Sequence, residues 1–149
     1  MSPGPRVYPH PTVTRRIPLV VNPEHPQERT VLAQFTWLRV DPLVITLWLP
    51  SGRDTVRWDL GRDLLYAGTA APAGRGDVRV LPERCDCCLA CGGGVRIILR
   101  TPSGYAELFA DADAIERLVD DTYDLVPAGT EFDDVRFDDV DLVAMLGGA

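Results

Sequence analysis

From Thr12 to Phe109 the chain is written in short runs that alternate apolar and polar residues, punctuated by Pro, Gly, Asn and Asp. Only after Asp111 does the apolar spacing lengthen to that of a helix. A period of two sends successive side chains to opposite faces of a strand, so this order dictates an α+β chain with its strands first and its helices last. The runs Thr12–Val21, Thr30–Val40, Leu43–Leu49, Thr55–Asp59, Asp77–Leu81, Val95–Arg100 and Tyr105–Phe109 give about seven strands, and their hairpin-like spacing predicts antiparallel pairing. Asp41-Pro42 reads as a break before the third strand, and Pro50-Ser51-Gly52 as a turn into the fourth. Gly61–Gly68 holds about two helical turns at most. A longer helix starts at Asp111-Ala112-Asp113, with acids near its positive dipole end and Ile115, Leu118, Val119 and Thr122 on one face. A second helix is expected from about Asp138 to Leu146, completing a C-terminal helical hairpin. Residues 1–11, with four prolines and no periodicity, read as a mobile arm, and residues 12–149 as one domain.

Composition narrows the function classes. Lysine is absent from all 149 residues, which rules out a Schiff-base lysine, a lysine general base and a Walker-type phosphate loop. Both histidines, His10 and His25, stand beside prolines in the N-terminal quarter, so the side chain best suited to proton transfer near neutral pH is missing elsewhere. The expectation is a chain that is not an enzyme and needs no cofactor. The most apolar run, Leu43–Leu49, is broken by Thr46 and falls far short of the roughly twenty residues of a membrane helix. With prolines in place of an apolar signal core at the start, the reading is a soluble cytoplasmic protein with no membrane insertion. Charge is divided: residues 1–100 hold 13 Arg against 9 acids, and residues 101–149 hold 2 against 13. Alternation sends Val56, Trp58, Val78, Val80, Val95, Ile97 and Leu99 inward and Arg57, Arg79, Arg96 and Arg100 to the opposite faces. These four arginines are the candidate partner-binding residues.

Four local motifs compete with plainer readings. Cys85, Cys88 and Cys91 follow a spacing used by iron–sulfur ligands, with Cys87 as a spare thiol. The four cysteines form a candidate metal loop, but a fourth, separated ligand and its proline are missing, so the expectation is no metal and a reduced hairpin loop. Arg75-Gly76-Asp77 spells an adhesion tripeptide, which in a non-exported chain reads as the end of a loop. The acid-rich Asp133–Asp141 segment lacks the glycine and spaced glutamate of a calcium loop and reads as capping and solvation. Trp37, Trp48, Trp58 and Tyr66 among arginines suggest either core aromatics or a surface on which single-stranded nucleic acid stacks.

Several segments together resemble the SsgA-like family of sporulation-specific cell-division proteins of actinobacteria. Leu38-Arg39-Val40-Asp41-Pro42-Leu43-Val44 is similar to a family stretch with Asp-Pro before the third strand, here compressed. Trp58-Asp59-Leu60-Gly61-Arg62-Asp63-Leu64-Leu65-Tyr66-Ala67-Gly68 resembles the family's Trp, Arg-Asp-Leu-Leu and Gly signature. Gly74–Val80, Pro127-Ala128-Gly129-Thr130-Glu131 and Phe137-Asp138 match further pieces in the same order. The proline-rich arm and the four-cysteine loop depart from the family pattern. The resemblance implies two packed antiparallel sheets with a helical hairpin, as in the whirly type of nucleic-acid-binding fold. It also implies a homo-oligomer, trimer or tetramer, recruited to division septa, with FtsZ and sister SsgA-like proteins as partners. A single-stranded nucleic-acid-binding module is the alternative, and the acidic C-terminal third argues against a long polyanion.

Overall fold

The computed structural model describes residues 11–83, 93–102 and 104–132. Strands β1 (Val13–Val21), β2 (Arg29–Leu38), β3 (Asp41–Ser51) and β4 (Asp54–Gly61) form an antiparallel meander, which passes directly into the short helix α1 (Arg62–Gly68). A second meander follows, β5 (Val78–Glu83), β6 (Gly94–Thr101) and β7 (Gly104–Asp111), and ends in helix α2 (Ala112–Leu125).

The seven strands make one sheet, in the order β4-β3-β2-β1-β7-β6-β5, and this corrects the expectation of two packed sheets. The physical reason is a short seam. Strand β1 pairs with β2 along all nine of its residues, and its last two, Val20 and Val21, also pair with Phe109 and Leu108 of β7. Each meander is therefore legible from hairpin spacing, while the joint between them links residues far apart in sequence. The sheet curls about this joint, because α1 leaves the β4 edge and packs against β5 at the opposite edge.

The concave face holds the core. Ile17, Leu19, Phe35, Trp37, Ile45, Leu47, Leu60, Val80, Ile97 and Leu108 are buried there against Leu65 of α1 and Ile115, Leu118 and Val119 of α2. That helix begins where the acids predicted it: the Asp111 carboxylate accepts a hydrogen bond from the Ala114 N–H at 3.1 Å. Gly68 allows α1 to lie close on β5, since a Cβ there would meet Val80 Cγ1 at 2.2 Å.

Asp41-Pro42 does not interrupt β3. Pairing runs Leu38↔Asp41 and then Trp37↔Ile45, so an irregularity in the register leaves Pro42 opposite no β2 partner and its missing N–H removes no ladder bond. The buried Trp37 indole N–H donates to the Pro42 carbonyl at 3.0 Å, which fixes the bend. Among the described residues the C-terminal half carries one helix, α2. The arm 1–10, the cysteines Cys85, Cys87, Cys88 and Cys91, the Asp133–Asp141 acids and the expected helix at Asp138–Leu146 lie outside the described residues.

Candidate functional site

Two faces of the sheet offer different chemistry. On the concave side, Arg62 opens α1 with its side chain 1% exposed. Its Nη1 donates to the carbonyls of Thr122 (3.2 Å) and Val126 (2.8 Å) at the end of α2, and its Nη2 donates to Glu131 Oε1 at 3.1 Å. The guanidinium stands over the Tyr123 ring at 4.0 Å and nearer the edge of contact with Trp37 at 5.9 Å. Helix α2 has no basic residue in its own last turn, so Arg62 supplies the positive charge its carbonyl end favours. The Glu131 carboxyl is held below the usual range, first by its own backbone N–H and then by the Gly129 N–H and Arg62, with desolvation opposing. Burial pushes the Tyr123 hydroxyl up, and Arg62 works against that shift. This charge is enclosed and matched, so Arg62 is a structural clamp. Sequence reading did not single out the Arg62–Glu131 pair; its signal lay in the Arg62-Asp63-Leu64-Leu65 and Pro127–Glu131 segments, which meet here.

The convex side carries the predicted arginines, and strand order separates them. Arg57 lies on edge strand β4, whereas Arg79 lies on β5 and Arg96 and Arg100 on β6. Five strand spacings divide Arg57 from β6, about 24 Å along the sheet. Arg57 pairs with Asp59 on its own strand (Nε to Oδ1, 3.1 Å) and covers the Trp48 ring at 5.5 Å. Arg96 is clamped by two neighbouring strands, in a two-bond contact with Glu83 (Nε to Oε2, 3.1 Å) and an ion pair with Glu107. Hydrogen bonding to Glu83 leads the raising of its pKa, with Glu107 adding to it. Its charge is thus neutralised within the sheet. Arg79 sits opposite Ile98, on the diagonal between Arg96 and Arg100, and Arg100 is opposite Tyr105. Arg79 and Arg100 are exposed, Tyr105 is 67% exposed, and neither arginine has an acidic partner among the described residues.

At the other end of the convex face, a groove of about 560 Å³ runs over β2, β3 and β4. Gln34, Thr36, Val44, Thr46 and Trp48 form its floor, with Arg57 on one side and Leu38, Asp41 and Pro11 on the other. The Trp48 indole N–H donates to Thr36 Oγ1 at 2.9 Å, which ties the ring to β2. Of the other aromatics, Trp37 is buried and Trp58 faces inward, half-buried, while Tyr66 stands edge-on to Tyr123 on the helices. Among the described residues no three His, Cys, Asp or Glu side chains gather to hold a metal, and no helix is long and apolar enough to cross a membrane.

Residues 31–131 match the family model described as Streptomyces sporulation and cell division protein, SsgA. The sporulation-specific cell division protein SsgB of Kineococcus radiotolerans is 39% identical over 108 residues, which cover 71% of this chain and 62% of that protein. The match thus spans under two thirds of that relative's length. Among solved structures, an SsgB chain described with mutations that correlate to longitudinal cell division during sporulation of Streptomyces coelicolor superposes with a TM-score of 0.73. It is 34% identical, over 81% of this chain and 93% of its own. An SsgA-like sporulation-specific cell division protein from Thermobifida fusca gives the same TM-score at 27% identity, over 95% and 98% of the two chains. The matched span takes in the Arg62 clamp, the convex arginines and the groove, and the chain belongs to the SsgA family of sporulation and cell division proteins.

Proposed function

We propose that the chain is a non-enzymatic adaptor of sporulation-specific cell division, which helps place or activate septal FtsZ rings by docking an acidic protein segment on Arg79, Arg100 and Tyr105. The observation that supports this reading is the pair of exposed arginines with no carboxylate partner among the described residues, beside an exposed tyrosine, on a chain whose relatives are division proteins. Arg and Tyr are the residue types that anchor protein interfaces, through bidentate bonds to carboxylates and large rigid contact area. FtsZ or a sister SsgA-like protein is the partner class, and a homo-oligomer, trimer or tetramer, working in the cytoplasm at the septum belongs to the same proposal.

The whirly-like alternative, a single-stranded nucleic-acid binder, has weaker support. Of the aromatics that suggested stacking, Trp37 is buried, Trp58 faces inward and Trp48 is overlaid by Arg57, which leaves Tyr66 on α1. The test is the position of a fluorescent fusion in sporulating filaments. Regular ladders that coincide with septa are expected. Staining of nucleoids, with tight and steeply salt-dependent binding of labelled single strands by the purified protein, would replace the adaptor by the nucleic-acid binder.

A further inference from the structure

A cavity of about 260 Å³ lies where the loop between β1 and β2 meets the start of β7, lined by Asn22, Pro23, His25, Gln27, Tyr105 and Glu107. The loop is held in shape by its own bonds. The Asn22 N–H donates to the Glu107 carbonyl at 2.7 Å, and the Glu107 N–H donates back to Asn22 Oδ1 at 3.3 Å. The His25 N–H donates to the Asn22 carbonyl at 3.1 Å, and His25 Nδ1 accepts from the Gln27 N–H at 3.1 Å. Asn22 and Glu24 stand at φ 52° and 64°, a left-handed region that Asn adopts readily and Glu at a cost these bonds offset. The cavity is therefore preformed. Its charge is opposite to that of the arginine patch beside it. Arg96 stands between Glu83 and Glu107, one guanidinium against two carboxylates, so this cluster keeps one unit of negative charge, and Glu107 is the member that lines the cavity. Among the described residues no arginine lines it. Tyr105, Pro23 and His25 supply ring walls, and the Gln27 side chain adds an amide oxygen. Carboxylate, amide oxygen and aromatic face each favour a guanidinium or an ammonium group.

The register places this seat beside the positive one. Arg79, Ile98 and Glu107 fall in one row across β5, β6 and β7, Asn22 continues the row, and Arg100 stands opposite Tyr105 in the next. The positive and negative ends are two strand spacings apart, about 10 Å, across the half-buried Ile98. Same-face side chains of an extended segment stand about 7 Å apart at two residues and about 13 Å at four, which brackets this distance. We propose that the β5–β7 end of the convex face takes a partner segment carrying both charges. Its Asp or Glu lies on Arg79 and Arg100, and its Arg or Lys, two to four residues away, enters the cavity against Tyr105 and Glu107. This inference rests on the docking of an acidic segment at Arg79 and Arg100 and adds the second half of what is recognised there. A segment with acids at both places sets one of them against the Glu107 carboxylate, so the basic residue decides which acidic segments are accepted.

The test titrates the full chain, labelled with nitrogen-15, with short synthetic peptides and follows the Gln27, Arg79 and Tyr105 amides by NMR. The peptides carry one aspartate and one arginine, two or four residues apart and in either order, among neutral residues. The tightest of the set is then remade with glutamine for its arginine and, separately, with asparagine for its aspartate. Loss of the arginine is expected to weaken binding at least about threefold, and loss of the aspartate at least about fivefold. Gln27→Arg, which sets a guanidinium of the chain's own in the cavity, and Glu107→Gln should each abolish the difference between the arginine and glutamine peptides. The first of these leaves the Arg96 ion pairs intact, so it reads the cavity even if Glu107→Gln disturbs the sheet. Arg79→Glu with Arg100→Glu should weaken the arginine and glutamine peptides alike. If the unaltered chain binds those two peptides equally while the double arginine variant loses both, this proposal is overturned and the acidic docking surface stands. A difference that persists in both cavity variants overturns it as well. If no peptide of the set displaces a signal at millimolar concentration, or if the double arginine variant binds as the unaltered chain does, the docking surface and this proposal fall together.

Discussion

Arg62 shows how one side chain ties distant parts of this fold together. Truncation to Ala would leave the Thr122 and Val126 carbonyls and the Glu131 carboxylate without their donor in an enclosed site, and would empty the space between Trp37 and Tyr123. Leaving two buried carbonyls without a donor and opening a space between two rings costs about 3 kcal/mol or more, so Arg62→Ala should lower the thermal midpoint by about 8 °C or more in a scan of ellipticity. Arg62→Lys should recover little of that loss, because an ammonium cannot serve three acceptors in a plane and stack on Tyr123. Glu131 adds a pH signature. Its folded pKa is depressed, so its stabilising contribution is present above the ordinary glutamate value of about 4.3 and is lost as pH falls through the folded value. Midpoints measured from about pH 6 down to about pH 3 should therefore fall less steeply for Glu131→Gln than for the parent, with the two curves converging at the acid end. In the sequence the two residues stand 69 apart. Hydropathy marks both as surface residues, and no local period could show that the curl of the sheet encloses one beside the other.

At the scale of elements, periodicity was a good guide wherever neighbours in sequence are neighbours in space. The α2 face of Ile115, Leu118, Val119 and Thr122 and its Asp111 cap were legible because both depend on contacts within a few residues. Pro42 misled for the opposite reason: whether a proline ends a strand depends on whether its missing donor has a partner, and the register shift beside Trp37 is set by packing. The contact of α1 with β5 was equally hidden, although Gly68 marks it. An added methyl at Gly68 would stand 2.2 Å from Val80 Cγ1 and 3.0 Å from the Val80 backbone carbon, so the helix must move off the strand. Gly68→Ala should destabilise by about 1–3 kcal/mol in denaturant unfolding. Combining it with Val80→Ala should give a loss smaller than the sum of the two single losses, because the second change removes the Cγ1 clash while the backbone contact remains. Strict additivity in that cycle would place the effect of Gly68→Ala elsewhere than at the α1–β5 contact.

For the whole molecule, alternation assigned Arg57, Arg79, Arg96 and Arg100 correctly to the face away from the core but could not sort them, since that depends on strand order and on carboxylates from adjacent strands. The curled sheet sorts them into three environments: Arg57 alone at the β4 edge beside Trp48 and Asp59, Arg96 locked between Glu83 and Glu107, and Arg79 with Arg100 near the β5 edge. A charge-reversal series converts that arrangement into a ranking. Arg79→Glu with Arg100→Glu should leave the thermal midpoint within about 4 °C, since surface changes that break no ion pair alter stability by at most about 0.5 kcal/mol each. The same double change should lower capture of FtsZ or a sister family member at least about tenfold, through loss of two charge-assisted contacts. Arg57→Glu, some 24 Å away along the sheet, should spare capture. Arg96→Glu should behave unlike both, because it sets three carboxylates together on adjacent strands and lowers stability before any partner is added. If Arg57→Glu abolished capture while the Arg79 and Arg100 pair did not, the docking surface would move to the β2–β4 end, where Arg57 borders the groove.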